Sequence, residues 1–263
     1  MKYILVVLIA TFALEVAGKD TDAPYVAVGQ GIAVPAYTSP INFSHGFTYT
    51  NPSVAAYYDG IQLSLEHATA DKEDSNQVSG SGAEFAVGTG KVGLGVGYSE
   101  RDCDNCEGKT GAIAGFSFSG FSAGIGYHED DTYSAGVIIG ASNAHRVGLT
   151  VDWQQGPDDN DDVRSYGLGY GYVGNSVIFT LEASKKENET ESPSDKIIML
   201  TPGLEVQAQN VALSVSHDTY LNDENETHEA NTWFGAGFNF KSGSFSLYHD
   251  YVNEWAFVLA FKF

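Results

Sequence analysis

The chain has 263 residues, with 34 Asp and Glu against 13 Lys and Arg, and a formal net charge of -21. This balance argues against a nucleic-acid partner, because a phosphate-binding surface needs clustered cations. An aromatic content of 13% argues against disorder, and two Cys are too few for a fold held together mainly by disulfides.

The first predicted element is a signal peptide. Lys2 precedes the apolar run Tyr3–Leu14, and small residues follow at 16–18. This order is typical of a signal-peptidase site, here after Gly18. A membrane anchor is the alternative, but the run is shorter than the roughly 20 residues that span a bilayer. We therefore expect residues 1–18 to be removed from an exported protein.

Residues 19–59 form a separate, proline-containing segment in this prediction. Two stretches within it, 25–34 (YVAVGQGIAV) and Asn42–Tyr49, show some alternation of apolar and other residues. Alternation is the pattern of a β-strand, so these stretches are candidate strands. The alternative is that the whole segment lies outside the main fold.

From Gly60 to Phe263, bulky apolar residues alternate with small residues in segments about as long as a tilted bilayer strand. Val92, Leu94, Val96 and Tyr98, for example, alternate with glycines and a serine. The same pattern recurs at 121–128, 147–153, 164–172 and 234–240. No later segment is apolar enough for a transmembrane helix, and a membrane protein without helices must be a closed barrel.

The links between these strands alternate between short and long. Short links of small residues, such as Ser119-Gly120 and Gln209-Asn210, separate longer acidic links such as 156–162 and 186–195. Outer-membrane barrels sort their loops to the two ends in this way. The sequence therefore predicts an all-β, closed antiparallel transmembrane barrel over 60–263, of about fourteen strands, or about sixteen if both earlier stretches are strands.

Within the strands, the bulky face is expected to contact lipid and the small-residue face to line the lumen. Lys or Arg on the lipid face at mid-depth costs roughly 2–4 kcal/mol. Most charges within the strands fall on the small-residue face. The predicted lumen-facing charged residues are Glu66, Glu84, Arg146, Asp152, Glu182, Glu205 and Asp218. Arg164 falls on the bulky face at the loop end of its strand, where it can reach the headgroups.

The last strand has bulky apolar residues at every second position and ends on an aromatic residue. These residues are Trp255, Phe257, Leu259, Phe261 and Phe263. The stretch resembles the recognition signal of Gram-negative outer-membrane proteins. This resemblance implies that the barrel assembly machinery reads it, that the strand pairs with the first strand, and that the protein resides in the outer membrane with its lipid and lipopolysaccharide. A homo-oligomer is possible under this resemblance.

The stretch Thr50–Glu66 (TNPSVAAYYDGIQLSLE) resembles the entry to the barrel in the long-chain fatty acid outer-membrane transporter family. Asn51 and Pro52 match that family, whereas Ser53 stands where it usually has Ala. The resemblance implies that residues 19–59 form a plug in the lumen. A wide barrel leaves space that its own side chains cannot fill, and inward glycines would let the plug backbone approach closely. A periplasmic position for this segment is the alternative.

No cofactor or metal site is predicted. Cys103 and Cys106 lie in a polar link without a thioredoxin-like pattern, so a local loop disulfide is expected. The acidic runs beside them and at Asp158–Asp162 lack the glycine placement of an EF-hand loop. We expect these loops to be solvated and bridged to lipopolysaccharide by divalent ions.

The sequence does not predict an enzyme. The candidate catalytic pairs are neighbours in the chain: Ser216-His217, His128-Glu129 and His249-Asp250. Neighbouring side chains on a strand point to opposite faces, so none of these pairs can act together locally. The predicted function is passive diffusion of small solutes with a weak preference for cations, because acidic linings favour cations. The alternatives are a plugged channel for hydrophobic compounds, similar to the fatty acid transporters, and a structural barrel with a closed lumen.

Overall fold

The computed structural model describes residues 30–34, 51–69, 80–101, 108–129, 131–141, 143–156, 162–188, 198–221, 230–250 and 255–263. Within these ranges the chain forms one short 3-10 helix, Pro52–Tyr57, and fourteen strands. The strands are β1 (Asp59–Thr69), β2 (Gly80–Thr89), β3 (Val92–Arg101), β4 (Lys109–Phe118), β5 (Phe121–His128), β6 (Thr132–Ile139), β7 (His145–Gln154), β8 (Val163–Val173), β9 (Val177–Asn188), β10 (Ile198–Ala208), β11 (Val211–Leu221), β12 (Asn231–Phe240), β13 (Gly243–Asp250) and β14 (Trp255–Lys262).

Every strand pairs antiparallel with its neighbours in sequence, and β1 also pairs with β14, so the sheet is a closed barrel. Leu65 lies opposite Leu259 at this closure. Phe263 extends it, because its N–H donates to the Ile61 carbonyl at 2.8 Å and its carbonyl accepts from the Ile61 N–H at 3.3 Å. The predicted closed antiparallel barrel of fourteen strands is confirmed.

The sixteen-strand alternative is wrong. The ring closes between β1 and β14 without any further strand. Residues 30–34, the end of one candidate strand, form bends rather than a strand, and Gly31 has a φ of 77°. The other candidate, Asn42–Tyr49, lies outside the described residues, as do the whole predicted signal peptide and most of the predicted segment 19–59.

The two ends of the barrel differ in their links, as predicted. One end has links of two to five residues, and the other has links of three to ten. At the first end, Ser119 and Gly120 connect β4 and β5 with φ values of 48° and 81°. Positive φ at both central residues is what a tight turn between twisted strands requires. Phe263 therefore lies at the short-turn end, with β1 beginning beside it.

The two faces of the wall follow the alternation. Outward side chains are large, apolar and exposed, as at Ile125 (67%), Leu168 (55%) and Phe238 (49%). Inward neighbours are small or polar and buried, as at Ser122 and Thr180. Among the described residues, no helix is both long and apolar enough to cross a bilayer.

Candidate functional site

The inner wall of the barrel carries a ring of buried carboxylates. Glu182 and Glu205 are fully buried, and Glu84, Asp218 and Glu66 are 3%, 3% and 9% exposed. Asp152 and Arg146 also lie at inward positions, and both are half-buried. Each of the predicted lumen-facing charges thus lies on the small-residue face. These carboxylates have different hydrogen-bond partners, and some of them hold the N-terminal segment whereas others do not.

Glu182 on β9 holds residues 30–33 of the N-terminal segment. Its carboxylate accepts hydrogen bonds from the backbone N–H groups of Gln30, Gly31 (3.1 Å), Ile32 (2.8 Å) and Ala33 (2.8 Å). The positive φ of Gly31 turns successive N–H groups towards one point, which makes an anion-binding concavity of backbone amides. Bonds of this kind, with an ionised acceptor, are among the stronger hydrogen bonds in proteins.

Asn51 joins the two described parts of the N-terminal segment. Its Nδ2 donates to the carbonyl of Ile32 at 2.7 Å and, more weakly, to that of Val137 on β6 at 3.4 Å. Its Oδ1 accepts from the Ser53 N–H at 3.1 Å and so caps the 3-10 helix, whose first residue is Pro52. A side-chain acceptor before the first turn and a proline at its start are both favoured there. The two residues on which the family resemblance rests therefore start this helix inside the barrel.

Glycines on the inner wall allow the segment to lie against the sheet. A Cβ atom on Gly93 would lie 2.1 Å from the Ala55 carbonyl oxygen, and one on Gly124 would lie 2.3 Å from that of Pro52. Contacts this short exclude any side chain. The same holds at Gly88, Gly136 and Gly148, which face Tyr58, Asn51 and Ile32 respectively. The glycines thus form a recess on β2–β7 in which the backbone of the segment lies.

Tyr58, directly after the 3-10 helix, connects the segment to a second carboxylate. Its hydroxyl donates to Glu84 on β2, and Ser64 donates to the other oxygen of the same carboxylate at 3.3 Å. The neighbouring residue Tyr57 lies 3.1 Å from the Ser122 hydroxyl on β5. Glu84 and Glu182 therefore hold the two described parts of the segment at separate points around the barrel.

A third contact reaches β10 and β11. The Gln30 side-chain amide donates to the Thr201 hydroxyl at 2.9 Å, and this hydroxyl donates to Asp218 at 2.6 Å. Pro202 lies beside Thr201, and the ladder to β11 has no pair at either residue, although the ladder to β9 continues through both. Proline has no N–H to donate, so a local gap in a ladder is expected there. The series of hydrogen bonds from Gln30 through Thr201 to Asp218 crosses this gap in the ladder.

Glu205 differs from the other buried carboxylates. It accepts a hydrogen bond at 2.6 Å from Gln207 on the same strand, and its second oxygen has no hydrogen-bond partner among the described residues. The hydrogen bonds described for Glu205 therefore do not hold residues 30–34 or 51–59, in contrast to those of Glu182.

The long-loop end carries carboxylates with ordered partners. Trp153 Nε1 donates to Asp162 at 2.8 Å and the Gly156 N–H donates to it at 3.1 Å. These bonds, and then the nearby Arg164 charge, lower the pKa of Asp162. Glu129 likewise has a lowered pKa, because the hydroxyl and then the N–H of Thr110 donate to it. These two carboxylates therefore stay ionised at the rim.

The remaining predicted residues have the following positions. The predicted assembly signal lies outward on β14 and at the chain end, with Trp255 stacked on His249 at a ring distance of 4.0 Å. Its reading by an assembly machinery stays a prediction. Cys103 and Cys106 lie outside the described residues. Among the described residues, no group of three or more His, Cys, Asp and Glu side chains is arranged to hold a metal ion.

Sequence reasoning missed the partners of the segment. It did not identify Gln30, Tyr58 or Thr201, because their contacts join residues that are far apart in the chain. The only local signals were the glycine at position 31 within an apparent strand and the proline at position 202. Both residues commonly mark a departure from regular strand structure.

No protein-family model and no curated protein matches the sequence. The fold is similar to that of the outer membrane protein Omp33 of Acinetobacter baumannii, with a TM-score of 0.52, 10% identity, and coverage of 79% of this chain and 100% of that one. It is also similar to a bacterial polysaccharide outer membrane secretin (TM-score 0.56, 11% identity, coverage 78% and 99%). CymD, a monoaromatic hydrocarbon channel, has a TM-score of 0.58 at 10% identity, with coverage of 90% and 98%. The chain thus has the fold of bacterial outer-membrane barrels.

Proposed function

We propose that the protein is a channel for small solutes in the outer membrane of a Gram-negative bacterium. The observation that carries this proposal is the closed barrel whose outer face is apolar and exposed while its inner face carries carboxylates. Such a wall is stable in lipid and offers a polar path through it. The shared fold with outer-membrane proteins, including a channel, supports the same proposal.

The lining favours cations over anions. Of the seven charged residues predicted to face the lumen, six are carboxylates and one, Arg146, is a cation. Fixed negative charge in a pore attracts cations and repels anions, most strongly where water is scarce. We therefore propose a preference for cationic or neutral solutes.

The experiment is a reversal-potential measurement on the purified protein in planar bilayers under a KCl gradient. A reversal potential of the sign for potassium is expected. The variant Glu129→Gln removes a carboxylate that stays ionised at the rim and whose described hydrogen bonds are with Thr110 rather than with the N-terminal segment, so it should move the potential towards zero. Selectivity for chloride would contradict the cation preference, and an absence of conductance from an intact barrel would favour a structural barrel with a closed lumen.

A second candidate is a channel for small hydrophobic compounds. The described parts of the N-terminal segment lie inside the barrel, as the plug of a fatty acid transporter would. The similar barrel CymD is a monoaromatic hydrocarbon channel. Uptake of a neutral aromatic hydrocarbon by proteoliposomes, compared with that of a neutral sugar of similar size, tests this candidate. Equal facilitation of both solutes would favour the general channel.

A further inference from the structure

All the hydrogen bonds described for the Glu182 carboxylate come from the N-terminal segment. A carboxylate offers about four lone-pair sites. Four backbone N–H groups, those of residues 30–33, donate to Glu182, so its hydrogen-bonding capacity is filled by one short stretch of chain. The carboxylate is fully buried and lies on the wall, whereas the stretch that it binds belongs to no strand.

The segment in turn depends on this carboxylate. Backbone N–H groups in the sheet have carbonyl partners, but those of residues 30–33 have Glu182. A buried N–H that loses its acceptor destabilises the folded arrangement, because it has no water to bond to instead. The Ile32 carbonyl is held by Asn51, and Ala33 lies against Gly169, the partner of Glu182 on β8. Without the carboxylate, several buried donors would lose their acceptor at once.

Inward side chains are buried also on β13 and β14, away from the described parts of the segment. Examples are Ser244 and Ser246 on β13 and Ala256 and Val258 on β14, all 2–8% exposed. Residues 30–34 lie in the lumen against this wall, so moving them would change the space that is open to a solute.

We infer that Glu182 is the positioning residue that fixes the N-terminal segment inside the barrel and thereby sets the size limit for solutes. The inference rests on the proposed channel function. With the carboxylate in place, the segment stays in its glycine recess and the passage is narrow. When the carboxylate is removed, the segment leaves its place and larger solutes pass.

The test uses Glu182→Gln, which keeps the size of the side chain but replaces an acceptor by an amide donor. Proteoliposome swelling is measured with arabinose, glucose, sucrose and raffinose, and the rate for each is divided by the rate for arabinose. We expect the sucrose ratio to rise at least threefold in Glu182→Gln. Glu205→Gln makes the same replacement of a buried carboxyl group on the neighbouring strand without touching residues 30–33, and its ratio should equal that of the wild type.

A reversible crosslink provides the rescue. A Cβ atom on Gly171 would lie 3.5 Å from the Cβ of Ala33, within the range for a disulfide. The same Cβ would lie 2.5 Å from Cγ2 of Val34, so every crosslinked protein and its uncrosslinked reference also carry Val34→Ala. In the Glu182→Gln protein, with Cys103 and Cys106 replaced by Ser, the pair Ala33→Cys and Gly171→Cys should restore the wild-type ratio when oxidised. Reduction should raise it again. A sucrose ratio that stays high in the oxidised protein would overturn the inference. In that case the rise would come from general damage to the barrel, which a crosslink at Ala33 does not repair, and not from the displaced segment.

A second readout does not depend on transport. Ala33→Cys alone, in the same serine background, should react slowly with a water-soluble maleimide, because Ala33 is fully buried. Adding Glu182→Gln should speed the reaction at least tenfold. If no solute passes through any variant, the channel proposal fails, but this comparison still decides the role of Glu182. Equal labelling rates would overturn it.

Gly31→Val provides a further variant that leaves the wall intact. Its φ of 77° is unfavourable for a β-branched residue, so the four N–H groups should no longer converge. Barrel folding is checked by the heat-dependent shift in electrophoretic mobility. We expect Gly31→Val to raise the sucrose ratio, and also the rate of maleimide labelling at Ala33→Cys, as Glu182→Gln does. If a folded Gly31→Val protein kept the wild-type values of both, the inference would be contradicted.

Discussion

The carbonyl oxygen of Ile32 lies 2.0 Å from the position that a Cβ atom on Gly148 would occupy. No side chain fits between the two residues, so the N-terminal segment touches the backbone of β7 directly. This contact ties a residue early in the chain to the middle of the barrel wall. It also makes Gly148 a sensitive point at which to disturb the segment.

Gly148→Val should destabilise the protein by about 1–3 kcal/mol, because the new side chain overlaps the Ile32 carbonyl and forces the segment or the strand to move. The free energy of unfolding is measured with urea in lipid vesicles. Thr150→Ser, at the next inward position of β7, serves as the control and should change it much less. An unchanged stability in Gly148→Val would mean that Ile32 does not occupy this position.

Asn51→Ala should lower the stability by about 0.5–2 kcal/mol through loss of the helix cap. The bond to the Ile32 carbonyl is lost as well. Asn51→Asp separates the two effects, because it keeps an acceptor for the Ser53 N–H but has no donor for Ile32. Thermal unfolding should place Asn51→Asp between the wild type and Asn51→Ala. An Asp variant no more stable than the Ala variant would show that the cap is unimportant.

Leu149→Arg tests which face of β7 meets lipid. Leu149 is 44% exposed in the middle of the strand, on the outer face. An arginine there should cost about 2–4 kcal/mol near the bilayer centre. Leu149→Ala is the control for lost apolar area. If the arginine cost no more than the alanine during unfolding from phospholipid vesicles, the outer face would not be in the hydrocarbon region.

Asp162 should confer a local dependence on pH. Its lowered pKa means that its contribution to stability is present above the ordinary pKa of Asp, about 3.9, and is lost as the pH falls through the lower value in the folded protein. Trp153 reports on this change, because its indole N–H donates to the carboxylate. In a protein with Trp233 and Trp255 replaced by Phe, fluorescence should change in this acid range, and Asp162→Asn should abolish the change. A transition that persists in Asp162→Asn would exclude this carboxylate as its source.

Much of the barrel could be predicted from the sequence because its wall repeats one local rule. Alternation of large and small residues separates the two faces, and link length separates the two ends. The pairing of the last strand with the first follows once the strands form a closed ring, whereas the register that places Leu65 opposite Leu259 comes from the structure. Predicting these features requires only the short-range alternation of residues and an even number of strands.

The lumen could be predicted only in outline. The inward position of Glu182 follows from strand parity, but its partners lie about 150 residues earlier in the chain. The odd or even position of a residue along its strand shows which face of the wall its carboxylate lies on. It does not show which residues donate hydrogen bonds to that carboxylate. Residues 30–34 are a candidate strand by alternation, but the left-handed backbone at Gly31 bends them and their N–H groups donate to Glu182 rather than to a neighbouring strand.

The pairing of β1 with β14 joins the two ends of the described sheet, which are nearly two hundred residues apart in the chain. Such distant contacts form late, because the entropy cost of closing the loop must be met first. Residues 30–34 and 51–58 are synthesised before any strand, yet they end up enclosed by all of them. The order of folding is therefore limited to two routes: these residues lie within the curling sheet before the final seam forms, or they enter afterwards through an open end of the barrel, since no side entrance remains.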